Sequence, residues 1–473
     1  MKTKNRIVFI FILVAVFLFY LKPPLDTDLG WHLRYGQQIA QNQAVFKDNQ
    51  IGFFLSDYQW VHSNSLHQLL CFLAYQYFGL GSLAIIGSAI LTLTVFLLIK
   101  NRPWWWQLLA TGIFILTALP VTGLGYRSQL YTLLGVALVY AILEQWLKQK
   151  NWSLLLPPLF LLWANLHGGF VLGLGLVGLI ACFQLINKQT KRGLGLLAIL
   201  LVCFFSTLVN PFGWKIYPEA YRHSWYPLNQ LIAEWLPPNP LGVFTILALI
   251  GLVVFLFLAQ NSKKLLANKN KLFYLTSWGV FILWAFKARR NLPIFGISSI
   301  FLVWQLLPQK IAKYQIKNSF YLACFGLLSV VALSQLKNLN SLHQDWTTIC
   351  QNSQWTLPCQ AVDFLKPQTQ ICQKIFNTYE WGGYLVWHLP DRKVFVDGRM
   401  PAWPTQSGKS PYTIYLEILQ TQPGFEASLD QFGADCLFIG TGTFLDLELK
   451  QNPNPKWREI FSDQVATIYQ KQN

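Results

Sequence analysis

Charge is scarce in this chain: Asp, Glu, Lys and Arg make up 12% of 473 residues, against 53% hydrophobic residues. That excludes a large soluble core and indicates a membrane composition. A P-loop, a Rossmann fingerprint and a soluble nucleophilic triad are all missing, so the common nucleotide and hydrolase chemistries are not written here. No basic block with interleaved aromatics occurs, and the net charge of +17 therefore does not indicate nucleic acid. Internal repeats and low-complexity linkers are absent, and no mid-span acid or inverted repeat points to a transporter. The first apolar run, Ile7 to Leu21, is followed by Lys22-Pro23-Pro24 and not by small residues suited to cleavage, so it is expected to stay as a span.

What the chain has is apolar length. Runs near 6–21, 79–99, 105–122, 129–147, 152–165, 169–187, 193–209, 241–259, 272–287, 291–307 and 319–336 predict about 11 spans, the fifth short and interrupted by Pro157-Pro158. With the N-terminus cytoplasmic, the inner loops hold 17 Lys+Arg and the single acid Glu144; the outer loops hold 10 Lys+Arg and six acids. The positive charge is then a topology signal. It also requires two passes across 152–187, which makes His167-Gly168-Gly169 a tight outer turn. The expected organisation is an α-helical polytopic domain, 1–338, with a C-terminal extracytoplasmic α/β domain, 339–473. The location that fits is a bacterial inner membrane with the tail on the periplasmic side.

Eight cysteines fall into two sets. Cys71, Cys182, Cys203 and Cys324 lie in or beside apolar runs, as packing residues do. Cys350, Cys359, Cys372 and Cys436 lie in the tail, where an oxidising compartment permits disulfides and three pairings are open. Their spacing is not that of a zinc site. Within the tail, 394–396 and 436–439 read as buried strands closed by Asp397-Gly398 and Gly440. Helical patterns fall near 359–366, 411–421 and 424–433, and a terminal hairpin turns at Ser462-Asp463. The segment 377–400 reads as strand–turn–strand, or as a lip with Glu380, Tyr384, Asp397 and Arg399 facing a site.

The first outer loop, 22–78, concentrates ionisable chemistry beside a membrane segment, which is costly unless it faces water or a site. Asp26, Asp28, Trp31, His32 and Arg34 follow within a few residues. A helix is expected from Asp28, which would be its N-cap, with Leu29, Leu33, Gly36 and Ile39–Ala40 on one stripe along the membrane interface. Trp60, His62 and His67 form a second polar-aromatic piece. Asp26, Asp28, His32, Arg127, His167, Asn210, Lys215, Arg222, His223, Glu234, Lys287, Arg289 and Arg290 all map to outer loops. Convergence of those loops would gather acids, histidines and arginines at one mouth. Arginine forks suit phosphate, and paired acids suit a cation bridge or a proton acceptor. A lipid-linked phosphosugar needs both.

These residues carry a resemblance. The chain is similar to the type C (GT-C) glycosyltransferase superfamily, and most similar to its bacterial multi-pass members whose first loop opens D-x-D-x-x-W-H-L-x-x-G. Here that string is Asp26, Asp28, Trp31, His32, Leu33 and Gly36. His167-Gly168-Gly169, Asn210-Pro211-Phe212-Gly213, Arg289-Arg290 and the WGGYL…DGR segment extend the resemblance over most of the chain. Trp381-Gly382-Gly383-Tyr384 is weakly similar to the W-W-D-Y-G box of oligosaccharyltransferases, without its acid.

The resemblance implies an inverting transfer of sugar from a polyprenyl-phosphate donor to a lipid, glycan or protein acceptor. Asp28 or Asp26 would be the catalytic base and the metal ligand if Mg or Mn takes part. Trp31, His32, Arg127, His167, Arg222, Arg289, Arg290, Glu380 and Tyr384 would be the substrate-binding residues. Two other classes fit less of the sequence: a polysaccharide polymerase or ligase, which would not need the first-loop acids, and a non-catalytic lipid-binding or envelope assembly protein.

Overall fold

The structure, a computed structural model, describes residues 2–226, 232–267, 269–307, 318–352, 357–452 and 456–472. The chain divides into two compact units. The first comprises Met1–Pro24, Leu83–Ala220 and Ile232–His343; the second comprises Leu25–Ser82, Tyr221–Leu231 and Gln344–Asn473.

In the first unit, helices occupy the apolar runs: Lys2–Tyr20, Trp104–Thr122, Gln129–Leu147, Leu156–Leu166, Phe170–Ile186, Thr190–Thr207, Pro240–Ala267, Lys269–Lys287, Leu292–Leu306 and Asn318–Ser334. The long helix Ser65–Ile99 contributes to both units and bends at Gly79. Among the described residues, Ser65–Ile99, Trp104–Thr122, Gln129–Leu147, Thr190–Thr207 and Tyr321–His343 have the length and apolar composition to cross a membrane. Leu201, Leu249 and Leu283 stand more than half exposed, a cost that lipid removes and water does not. The chain is a membrane protein. The fifth run is divided: a 3-10 turn, Asn151–Leu155, precedes the helix Leu156–Leu166, and Pro157 and Pro158 fall in the first turn of that helix, where a missing N–H costs little. That helix ends at Leu166 and the next begins at Phe170, leaving His167-Gly168-Gly169 as the turn.

The second unit is built on a five-stranded sheet of order β2-β1-β3-β5-β4. Its strands are β1 (Lys374–Asn377), β2 (Lys393–Val394), β3 (Cys436–Gly440), β4 (Trp457–Ser462) and β5 (Ala466–Lys471). β1 runs parallel to β2 and β3, while β5 runs antiparallel to β3 and β4. Helices Cys359–Leu365, Pro411–Leu419 and Phe425–Phe432 lie where expected. The tail cysteines pair as Cys350–Cys359 and Cys372–Cys436.

Two expectations need correction. The segment 377–400 is not strand–turn–strand: after β1 come a 3-10 turn, Tyr379–Trp381, and the helix Gly382–His388. A short apolar run such as GGYLVWH has no periodicity that separates strand from helix. The first-loop helix, Leu29–Asn42, does not bury a single stripe. Leu29, Gly30, Trp31, His32, Leu33, Tyr35 and Gly36 are all buried, so its first two turns are surrounded by protein. The loop that follows extends the sheet past β2. Val394 N–H donates to Ile51 O and Phe53 N–H donates to Val394 O, both at 3.1 Å.

Loop and tail therefore share one core, and its centre is charged. Arg399 donates from Nε to Asp397 Oδ1 (2.8 Å) and from Nη2 to Asp397 Oδ2 (2.6 Å), with both side chains fully buried. The fork also donates to Tyr35 Oη (2.6 Å) and Asn49 Oδ1 (2.9 Å), both from the first loop. The rings of Tyr35, Trp60 and Trp403 lie 5.3–5.4 Å from the guanidinium. Asp397, expected at the turn of a strand–turn–strand core or facing a site, is the counter-ion of a buried cation.

Asp397→Asn is expected to leave that cation uncompensated and to destabilise the unit by about 3–5 kcal/mol. Thermal or denaturant unfolding followed through tail tryptophan fluorescence checks this, with Asp363→Asn, at an exposed ion pair, expected to leave stability unchanged.

Candidate active site

After the first helix, Pro23 and Pro24 prevent helical continuation and the chain turns through Asp26 and Asp28. Asp28 precedes the Leu29–Asn42 helix, but its side chain does not cap it. Its Oδ1 accepts instead from Trp31 Nε1–H at 3.0 Å. The Asp28 N–H donates to Asp26 Oδ1 at 3.4 Å, and Leu29 N–H donates to Asp26 O at 3.0 Å. The indole thus sets the aim of the carboxylate, a role the sequence does not advertise. Asp26 is buried and Asp28 is half-buried.

The glycines of the tail explain why this loop can dock. A Cβ on Gly398 would overlap Asp28 Oδ1, one on Gly383 would overlap Thr27 O, and one on Gly30 would overlap Gly383 O. WGGYL and DGR therefore present bare backbone to the acid loop, and a methyl group at any of the three positions would push it away. These motifs, far apart in sequence, form one cradle.

Aromatic and titratable groups line the same place. Burial raises the Tyr379 phenol well above its ordinary pKa, and the negative charges of Asp28, Asp397 and Glu380 add to this, so it remains a neutral hydrogen-bonding group. Glu380 is exposed. The Trp31 ring stacks on His32 (centroids 3.7 Å apart) and meets Trp60 edge-on. His32 is buried, with its ring edge-on to His67. Burial, then the Arg399 charge, lowers the His62 pKa to about 3, keeping that imidazole neutral. The Tyr384 hydroxyl lies 3.5 Å from Cys350 Sγ and 3.4 Å from Cys359 Sγ, packed on the disulfide. Arg222 donates to Tyr58 Oη at 2.7 Å. Among the described residues, no three His, Cys, Asp or Glu side chains converge as a metal-ligand set.

The other expected cations belong to the first unit. Arg127, buried in the loop before the Gln129–Leu147 helix, forms an ion pair with Glu234. Arg290 lies over the Trp235 ring at 4.3 Å, and Arg289 N–H donates to Leu236 O at 2.9 Å. Burial would raise the Glu234 pKa, but Arg127, Arg290 and Arg289 outweigh it and hold the carboxyl below its ordinary value. Glu234 is thus ion-paired with Arg127 and lies within the field of Arg289 and Arg290, which belong to a separate loop. Nothing in the sequence around Glu234, one of the expected outer acids, points to this partnership. His167 Nδ1 accepts from Gly169 N–H (3.1 Å) and lies 2.7 Å from Thr132 Oγ1, which places the ring proton of the neutral form on Nε2. Asn210 closes its own loop, accepting from Phe212 N–H and donating to Gly213 O.

Glu234→Gln is expected to remove the counter-ion of buried Arg127 and cost about 1–3 kcal/mol, less than a fully enclosed pair because Glu234 retains some solvent contact. Because the folded-state pKa is depressed, this contribution is complete above the ordinary value of 4.5 and is lost as pH falls through the lower folded value. Melting curves of the wild type and Glu234→Gln should therefore differ most at neutral pH and converge in acid.

No protein-family model and no curated protein matches this sequence. Solved structures do match by fold. An oligosaccharyltransferase, AglB, from Archaeoglobus fulgidus, solved with an inhibitory peptide and a dolichol-phosphate, aligns at 10% identity with a TM-score of 0.58, over 95% of this chain and 70% of its own. ArnT from Cupriavidus metallidurans, bound to undecaprenyl phosphate, aligns at 13% identity with a TM-score of 0.51, over 99% and 98%. The A. fulgidus oligosaccharyltransferase tethered to an acceptor peptide aligns at 10% identity with a TM-score of 0.55, over 99% and 74%. At these identities what is shared is architecture: the chain is built on the GT-C fold.

Proposed function

We propose that this protein is a membrane glycosyltransferase of about 11 crossings, set in a bacterial plasma membrane with its N-terminus cytoplasmic. Its acid loop and tail would face outward. It would move a sugar from a polyprenyl-phosphate donor to a lipid, glycan or protein acceptor. The observation that carries the reading is Asp28: a half-buried carboxylate aimed by an indole N–H and seated in a cradle of glycines, on the GT-C fold. A mere helix cap would not need that setting. The polyprenyl phosphates bound by AglB and ArnT support the donor class.

In the proposed step the acceptor oxygen attacks C1 of the sugar, the C1–O bond to phosphate breaks with inversion, and the acceptor proton passes to Asp28. The lipid phosphate leaves as an anion. Arg127, Arg289 and Arg290 are the proposed phosphate ligands; the Arg127–Glu234 ion pair supports that role for Arg127, because a pre-set fork loses less entropy on binding. Arg222, His167, His32, Trp31, Glu380 and Tyr384 are proposed to shape the site, with Trp31 and Tyr384 acting through Asp28 and the disulfide that they touch. A divalent ion, if the enzyme uses one, would be held by Asp26 and Asp28 together with donor phosphate oxygens, the pattern usual for Mg.

Asp28→Asn is expected to slow transfer by about two to four orders of magnitude. The assay is purified protein in lipid nanodiscs with synthetic polyprenyl-phosphate sugars, followed by release of polyprenyl phosphate. Unchanged turnover in Asp28→Asn would remove the acid from the mechanism and favour a polymerase or ligase. Loss of activity in EDTA, with recovery in Mg or Mn, is the expected sign of the ion.

A further inference from the structure

The second unit carries a groove that the proposed transfer does not use. It encloses about 540 Å³, inside the range for small-molecule sites. It lies where the Ser65–Ile99 helix bends at Gly79, whose φ of +71° is a conformation that glycine takes without strain. A side chain at Gly79 would meet no atom within 4 Å, so the bend is not forced by crowding. It leaves a concave wall instead. Tyr77 and Phe78, just before the bend, are largely exposed, as aromatics are at a membrane–water interface.

The lining has two kinds of chemistry. Trp346, Trp387 and Tyr75 supply flat rings, the latter two meeting edge-on at 5.4 Å. Gln76, Gln344 and Asp345 supply donors and acceptors. Thr348 N–H and Oγ1–H both donate to Asp345 Oδ1 at 2.7 Å, which holds that carboxyl ionised and orients its second oxygen. Among the described residues, the buried Trp346 Nε1–H has no acceptor. Among the described residues no Lys or Arg lines the groove, which does not suit phosphate. Aromatic faces attract the slightly positive C–H bonds of a pyranose ring, while amides and a carboxylate pair with its hydroxyls.

We propose that this groove is a binding site for an uncharged saccharide. The claim concerns binding alone and does not require the chain to transfer sugar. The test is calorimetric titration of the full-length protein in phosphatidylcholine–phosphatidylglycerol nanodiscs with cellobiose, maltose and chitobiose. At least one should bind, with a Kd near 1 mM, a common strength for a small neutral ligand in an open groove. Trp346→Phe and Gln76→Ala should each weaken binding about tenfold or more; Gln76 is exposed, so its variant keeps the fold. Absence of binding by all three sugars would overturn the proposal, as would binding unchanged in both variants. So would occupation by lipid, read as quenching of tryptophan fluorescence by brominated-chain phosphatidylcholine that Trp346→Phe reduces.

Discussion

A guanidinium sealed from water has to find partners for its donors and a counter-charge, or the unit that encloses it does not fold. Arg399 meets that demand with materials from two distant stretches of chain. Asp397 supplies the charge from the tail, while Tyr35 and Asn49 supply acceptors from the first loop. Trp60 and Tyr35 from the loop and Trp403 from the tail cover its faces. Neither stretch can satisfy the cation alone, so the loop is bound to the tail by the cost of leaving a charge unpaired. Gly398 stands between the two members of the pair, and so the bare backbone that receives Asp28 is held by the same interaction.

In the proposed transfer, taking up a proton and holding a phosphate fall to differently organised groups. Asp28 accepts from an indole N–H and sits against bare glycine backbone. The arginines of the first unit are placed differently: Arg127 is ion-paired with Glu234, and Arg289 and Arg290 lie within its field. A partly exposed carboxylate can hold guanidinium groups ready and still give way to a phosphate carrying more charge.

Much of this molecule could be read before any coordinate was known, because it depends on local composition. Helices fill the apolar runs, the His167–Gly169 turn lies where the loop charges required it, and the terminal strands lie where alternation and turn residues placed them. The tail cysteines could be assigned to disulfides but not to pairs, since pairing depends on which strands become neighbours. The first-loop acids could be singled out because ionisable groups beside a membrane span are expensive.

Partnership was not legible. Arg127 and Glu234 are 107 residues apart, and nothing local to either names the other. Asp397-Gly398-Arg399 looks like a turn by residue type, yet folding turns it inward because Tyr35 and Asn49, some 350 residues earlier, solvate its charge. The first-loop helix seemed suited to an interface until the tail wrapped its other faces. Periodicity and composition act over a few turns of chain, so they decide where helices, strands and spans form. Burial of a charge and the aim of a carboxylate are properties of the neighbours that surround them, and only the folded chain chooses those neighbours.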